Sequence, residues 1–334
     1  MVHIPINAAK GPLNAEGTMS MRKEFEASGY KLTHHGKVRD TYRHPDFPDQ
    51  LYVVATDRLS IFDFVLPTLV MHKGAVLTAL THFWLTTVLA GYDHHLVRPM
   101  YGIGNNRTLI VRRLLMQDFE LIFRHHIGGS VWKEYEKKGT IAGERMPAGL
   151  TKWQKLDYPA FTPSTKAKTG HDENITVFDY VRNSPPGIQS SVHRLRSAYG
   201  LAYQHALERG ILILDTKLEA NHDGVIGDET FTPDSSRFTT VADYEKAIKA
   251  GRDPIFYDKE PVRVWGRSVE TPFGVTGINN LDPENPDHLD FVGSTLVVPE
   301  DVLSETTDRY LRIFELLTGT NLRQYQAEWM NFAD

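Results

Sequence analysis

The stretch that most constrains this chain is Ile211-Leu-Ile-Leu-Asp-Thr-Lys-Leu-Glu219, an aliphatic run that passes at Leu214 into charged residues recurring with a period of two. Such a run reads as a β-strand. Alternation puts Asp215, Lys217 and Glu219 on one face and Leu212, Leu214, Thr216 and Leu218 on the other. The apolar face demands a covered sheet. The other face carries charges spaced about 6.6 Å apart, with Lys217 between two carboxylates. Gly227-Asp228-Glu229 then returns a further acid. Acids converging from a strand and a turn suit Mg²⁺, which usually takes one or two carboxylates plus substrate phosphates. A solvated sheet face with an internal salt bridge has the same pattern, and spacing alone leaves both readings open.

The rest of the chain supports a folded α+β architecture. At 334 residues about three quarters of the unfolded surface is expected to be buried. The helical spacing of Val76, Leu77, Leu80, Phe83, Trp84 and Val88 predicts a helix from Lys73 to Gly91. Val192, Leu195, Tyr199, Ala202 and Ala206 predict another over about 189–209, stopped by Gly210. A third, over about 299–317, opens on Glu300 and Asp301, which the helix dipole favours, and stops before Gly319. Strands are expected at 51–57, 109–114 and 119–123. Strands dominate early and helices alternate with strands later, so we expect a β-rich N-terminal lobe, 1–115, and an α+β C-terminal lobe, 116–334. A cleft between them is the default binding site.

Composition excludes several functions. With no cysteine there is no disulfide, thiolate nucleophile, Cys-ligated zinc or iron–sulfur cluster. The 37 Lys+Arg against 42 Asp+Glu give a net charge of −5, with no basic block to grip nucleic acid. Residues 1–24 lack the apolar core of a signal peptide, and the longest apolar segment is too short to span a bilayer. The expectation is a cytoplasmic protein with no membrane partner. The fifteen histidines contain no His-x-x-x-His or His-Glu-x-x-His pair.

Two weaker motifs point to phosphate. His35-Gly36-Lys37-Val38-Arg39-Asp40 offers a glycine and two cations, as a phosphate-covering hairpin needs, although a plain hairpin looks the same. Arg124 followed by Gly128-Gly129-Ser130 places an arginine before small residues whose amides and hydroxyl can ring a phosphate. A glycine turn is the plainer reading.

Taken in order, GKVRDTY (36–42), ATDRLSIFD (55–63), KGAVLTALTHFW (73–84), GGSVWKEYEKKGT (128–140), FTPSTKAKTGHDENI (161–175), ILILDTKLE (211–219) and GDETFTPDSSRF (227–238) resemble the SAICAR synthetase family, in its longer form. The resemblance spans about residues 30–320. It implies a two-lobed α+β enzyme, monomeric or homodimeric, whose lobes are similar to those of protein kinases and ATP-grasp proteins. It implies ligation of L-aspartate to the carboxylate of carboxyaminoimidazole ribotide (CAIR), with ATP and Mg²⁺, through an acyl phosphate.

Carried over by position, the resemblance places Gly36, Lys37, Arg39 and Lys217 at ATP, and Lys217 with Asp215 at the chemistry. It makes Glu219 and Asp228 the Mg²⁺ acids. Ser60, Asp63, Arg124, Ser130, Arg237, Lys259 and Arg263 would contact the imidazole nucleotide, chiefly at its phosphate. Lys166 and Asp172 fall in a loop that would close over phosphates or aspartate. The turn Ala220–Gly224 is shorter than the family's usual hairpin. It admits a divergent carboxylate–amine ligase as an alternative, and the retained acids weigh against a catalytically silent binding protein.

Overall fold

The charged strand forms as its alternation requires, over Ile211–Ala220, and it is the centre of one sheet. The computed structural model describes residues 16–103, 106–166 and 173–332; Asp172 lies outside them.

In chain order, α1 (Glu16–Ala27) precedes β1 (Lys31–His35), β2 (Arg39–Arg43), β3 (Gln50–Ala55), β4 (Arg58–Ile61), β5 (Phe64–Leu69) and α2 (Lys73–Phe83). Next come β6 (Leu96–Pro99), β7 (Thr108–Arg112), β8 (Phe119–His126), α3 (Ser130–Lys138) and four further strands, of which the first two form a short pair. That pair is β9 (Thr140–Ile141) with β10 (Glu144–Arg145), while β11 (Lys155–Phe161) and β12 (Ser164–Thr165) follow in the chain and each pairs with β8 rather than with the other. The chain continues through α4 (Val177–Arg182), α5 (Ile188–Leu207), β13 (Ile211–Ala220), β14 (Ile226–Gly227) and β15 (Ser236–Thr240). It ends with α6 (Val241–Lys249), α7 (Glu260–Ser268), α8 (Pro286–Asp290), α9 (Glu300–Thr318) and α10 (Leu322–Trp329). No helix among the described residues is long and apolar enough to cross a membrane.

The chain divides into two compact units. The first combines residues 1–79, 96–113 and 258–334, and the second combines 80–95 and 114–257. The expected division at 115 therefore differs from the observed one, because the C-terminal segment folds with the N-terminal one. The reason is apolar burial. Leu59, Ile61, Phe64, Leu66 and Val70, from the β4–β5 hairpin and the turn after it, share one core with Val262 of α7, Ile278, Leu281, Val292, Val298 and Leu303 of α9. That association is non-local, so composition along the chain does not display it.

In the first unit, five antiparallel strands run in the order β1-β2-β3-β7-β6. Phe25, Tyr42, Tyr52, Val54, Met100 and Ile110 fill the core on one side of it. In the second unit, β11, β8, β13 and β14 lie in sequence, with β12 also on β8 and β15 also on β13. α5 covers the apolar face: Tyr199 donates its hydroxyl to Ile213 O at 2.9 Å and accepts from His125 N at 3.1 Å. α9 ends at Gly319, which is left-handed (φ +79°) as a C-terminal cap requires. The expected helix through 91 is not continuous: after Phe83 the chain widens into a π-helical segment, Trp84–Val88. Its Trp84 indole donates to Phe231 O at 2.9 Å, a tertiary partner that periodicity does not reveal.

Candidate active site

The second unit gathers most of the predicted polar residues on the charged face of β13. Asp215 lies directly opposite Arg124 on β8 and directly opposite Arg237 on β15. Three facing strands thus place one carboxylate between two guanidiniums. Asp215 Oδ2 accepts from Arg124 Nη1 at 3.0 Å and from Arg237 Nη1 at 2.5 Å. Asp215 is 6% exposed and Arg124 3%. Arg124 also donates Nε to Thr162 Oγ1 at 2.9 Å and Nη1 to Gly128 O at 3.3 Å. Burial pulls the Arg124 guanidinium downward and the Asp215 charge opposes it. A bare solvated face is therefore the wrong description of this strand.

The Gly128-Gly129-Ser130 turn stands beside those arginines and opens α3, with Ser130 as its first residue. Gly129 has φ +62°, and a Cβ there would lie 3.3 Å from Arg237 Nη1. The close approach and the positive φ both call for glycine. Free amides at the start of a helix between two arginines form a setting suited to an anion.

Lys217 does not pair with Asp215 or Glu219 as the strand spacing suggests. It reaches diagonally across the ladder to Glu120 of β8, Nζ to Oε1 at 2.5 Å. Burial would lower its pKa, but Glu120, then Glu219 and Glu229, raise it above the ordinary lysine value. Glu120 also accepts from Ser164 Oγ at 3.2 Å, and no motif in the sequence marks it. Only the β8–β13 register brings it to Lys217.

Glu219 pairs with Gly227 on β14, so Asp228 follows immediately beside it, in a left-handed conformation (φ +55°). Burial, then the Asp228 charge, push the Glu219 carboxyl up, while Lys166 and Lys217 oppose them. Lys166 forms an ion pair with Glu219. The loop lysine is thus brought to the acids, whereas Asp172 falls outside the described residues. Among the described residues no cluster of three or more His, Asp or Glu is arranged to hold a metal alone.

The first unit holds the other predicted residues. Gly36 to Arg39 closes the β1–β2 hairpin, with Gly36 N bonded to Arg39 O at 2.8 Å. Lys37 Nζ donates to Asp63 Oδ1 at 2.6 Å, joining two of the expected site residues. Asp63 and Phe62 form the β4–β5 turn, both with positive φ, and Ser60 is buried on β4. Beneath the hairpin lies a charge cluster that the sequence did not disclose. Fully buried Arg58 donates to Asp40 Oδ1 at 2.8 Å, and His35 Nδ1 is 2.5 Å from the same oxygen. Burial would raise the Asp40 carboxyl, but its bond with His35 and the Arg58 charge leave it lowered. Lys259 precedes α7, and Arg263 on that helix bonds buried Asp258 at 3.0 Å.

The fold is that of a mixed α/β protein, and one sheet face of its second unit sets two arginines about a buried carboxylate. Residues 32–276 match the SAICAR synthetase family model. The chain is 34% identical over 300 residues to the phosphoribosylaminoimidazole-succinocarboxamide synthase of Schizosaccharomyces pombe, covering 85% of this chain and 93% of that one. With the protein of the same name from Thermodesulfovibrio yellowstonii it shares 36% over 311 residues, covering 89% and 98%. Among solved structures, the SAICAR-synthase from Saccharomyces cerevisiae complexed with SAICAR superposes with a TM-score of 0.71 at 31% identity, covering 87% and 96%. The chain belongs to the SAICAR synthetase family.

Proposed function

We propose that this chain joins L-aspartate to the carboxylate of CAIR, giving SAICAR, ADP and phosphate from ATP. The observation that carries the reading is the Arg124–Asp215–Arg237 row beside the Gly129–Ser130 turn, on a chain 34% identical to a synthase of that name.

A carboxylate is a poor electrophile. Its oxygen attacks the γ-phosphorus and ADP departs, leaving an acyl phosphate. The aspartate amine attacks the carbonyl carbon, and phosphate leaves with the former carboxylate oxygen. Such chemistry asks the protein mainly to position charged groups and neutralise them. Arg124, Ser130 and Arg237 hold the phosphate of CAIR. Asp215 is the positioning residue that keeps the two guanidiniums side by side, bearing on the chemistry through them. Lys217, held protonated by Glu120 and its neighbouring acids, meets developing phosphoryl charge. In the first unit, Gly36, Lys37 and Arg39 are assigned to ATP, and Ser60, Asp63, Lys259 and Arg263 to the nucleotide substrate.

Glu219 and Asp228 would hold Mg²⁺ together with substrate phosphates. Burial and, after it, the neighbouring Asp228 charge raise Glu219, and a cation would offset both the desolvated charge and the repulsion, so the acids fit the ion. When bound, Mg²⁺ supplies neutralisation of phosphoryl oxygens. Incubating the purified protein with CAIR, aspartate, ATP and Mg²⁺ tests the function: SAICAR and ADP must form together. Absence of both products refutes it.

A further inference from the structure

We propose that Trp153 is the positioning residue that sets the Gly128–Ser130 turn, and with it the grip on the substrate phosphate. The proposal rests on the assignment of Arg124, Ser130 and Arg237 to that phosphate.

The indole lies against the backbone of residue 128. A Cβ built at Gly128 would come within 1.9 Å of Trp153 Cζ3 and 2.3 Å of Cε3, so the ring occupies the space a side chain there would need. Trp153 itself has φ +64°, a left-handed conformation that a bulky residue rarely adopts. Several contacts hold it there. Its N–H donates to Ile127 O at 2.7 Å, one residue before the turn. Its carbonyl accepts from the Tyr244 hydroxyl at 2.8 Å, and its indole N–H donates to Asp253 Oδ1 at 2.8 Å. Phe256 packs against its ring at 5.2 Å between centroids.

Backbone held in such a region persists where the surroundings over-determine it, and it concentrates at functional sites. Here the consequence is local. Two adjacent glycines are the most permissive backbone a chain can have, yet this pair is fixed. The indole blocks one side of Gly128, the Arg124 guanidinium bonds its carbonyl, and Arg237 lies over Gly129. The backbone of the turn, and with it the place where Ser130 begins α3, is therefore held in one conformation.

A double-mutant cycle on the full chain tests this, read as KM for CAIR, KM for ATP and kcat. Gly128→Ala drives a methyl into the ring and should raise KM for CAIR about tenfold, since a misplacement of an ångström costs up to about a hundredfold. Trp153→Ala should raise the same KM about fivefold, with kcat and KM for ATP changed less than about twofold. Combining them should give about the Trp153→Ala value rather than the product, because the methyl fits the vacated space and contacting residues couple. Multiplicative effects overturn the proposal, as does a Trp153→Ala variant that alters kcat and every KM alike. Trp153→Leu replaces Trp153→Ala in the cycle should the latter not fold. Arg237→Ala separates the two levels. An unchanged KM for CAIR there defeats the phosphate assignment itself, whereas a raised KM with a multiplicative cycle defeats only the role of Trp153.

Discussion

Asp215→Asn isolates the arrangement on which the candidate site depends. The substitution keeps the side chain's shape but removes the carboxylate charge that the guanidiniums of Arg124 and Arg237 share, at 3.0 and 2.5 Å from one oxygen. Arg124 is almost wholly buried. Removing one partner of a buried pair costs about 3–5 kcal/mol, since the remaining charge stays desolvated. At about 2–4 °C per kcal/mol for a unit of 150–250 residues, the melting transition should fall by about 10 °C. Differential scanning calorimetry without ligand measures it. Inorganic phosphate supplies the missing charge, so it should raise the variant's transition more than the wild type's, by up to about 2.7 kcal/mol at a hundred times its Kd. A variant melting within about 2 °C of the wild type, or responding to phosphate no more than it does, refutes the claim that Asp215 balances an anion-binding pair.

Glu219→Gln should abolish turnover, because an amide is a poor Mg²⁺ ligand, without lowering the metal-free melting temperature at neutral pH. Glu219 is raised in the folded state, so its contribution is fully present below the unfolded carboxyl value and is lost as pH rises through the folded one; the amide removes that loss. Near-normal activity, or a large drop in stability, contradicts the assignment. His82, His125 and His126 are each lowered by burial, to about 4, about 4 and about 3. Lys155 adds to the lowering of His125, while His125 and then Lys155 add to that of His126. Their stabilising effect is present above the unfolded value near 6.5 and is lost as pH falls towards 4, at up to about 1.4 kcal/mol per group per pH unit. Replacing His126 with Gln should flatten the acid limb of a Tm-versus-pH curve, and an unchanged slope would count against this origin.

The sequence made some of this legible because local periodicity and local chemistry coincide there. Asp215, Lys217 and Glu219 alternate with Leu214, Thr216 and Leu218 after a helix stopped before Gly210, so the strand and its charged face follow from spacing. Arg124, Ser130 and Arg237 lie in motifs, and register then brings the two arginines beside Asp215. Spacing along one strand does not disclose a partner across the ladder, so it points Lys217 to its own strand's acids and is silent on Glu120. Nor does it disclose tertiary closure. The core shared by Leu59–Val70 and Val262–Leu303 joins segments far apart in the chain, and the natural break near 115 hid it. Trp153 stands in a polar stretch with no periodicity, and its significance lies wholly in the backbone of Gly128 against which it packs.

The most direct measurement follows the oxygen. With CAIR labelled with ¹⁸O in its carboxylate, each turnover should deliver one labelled oxygen to inorganic phosphate, alongside equimolar ADP and SAICAR. Unlabelled phosphate accompanying SAICAR would show that the carboxylate is not activated by phosphorylation, and the account of this site would fail.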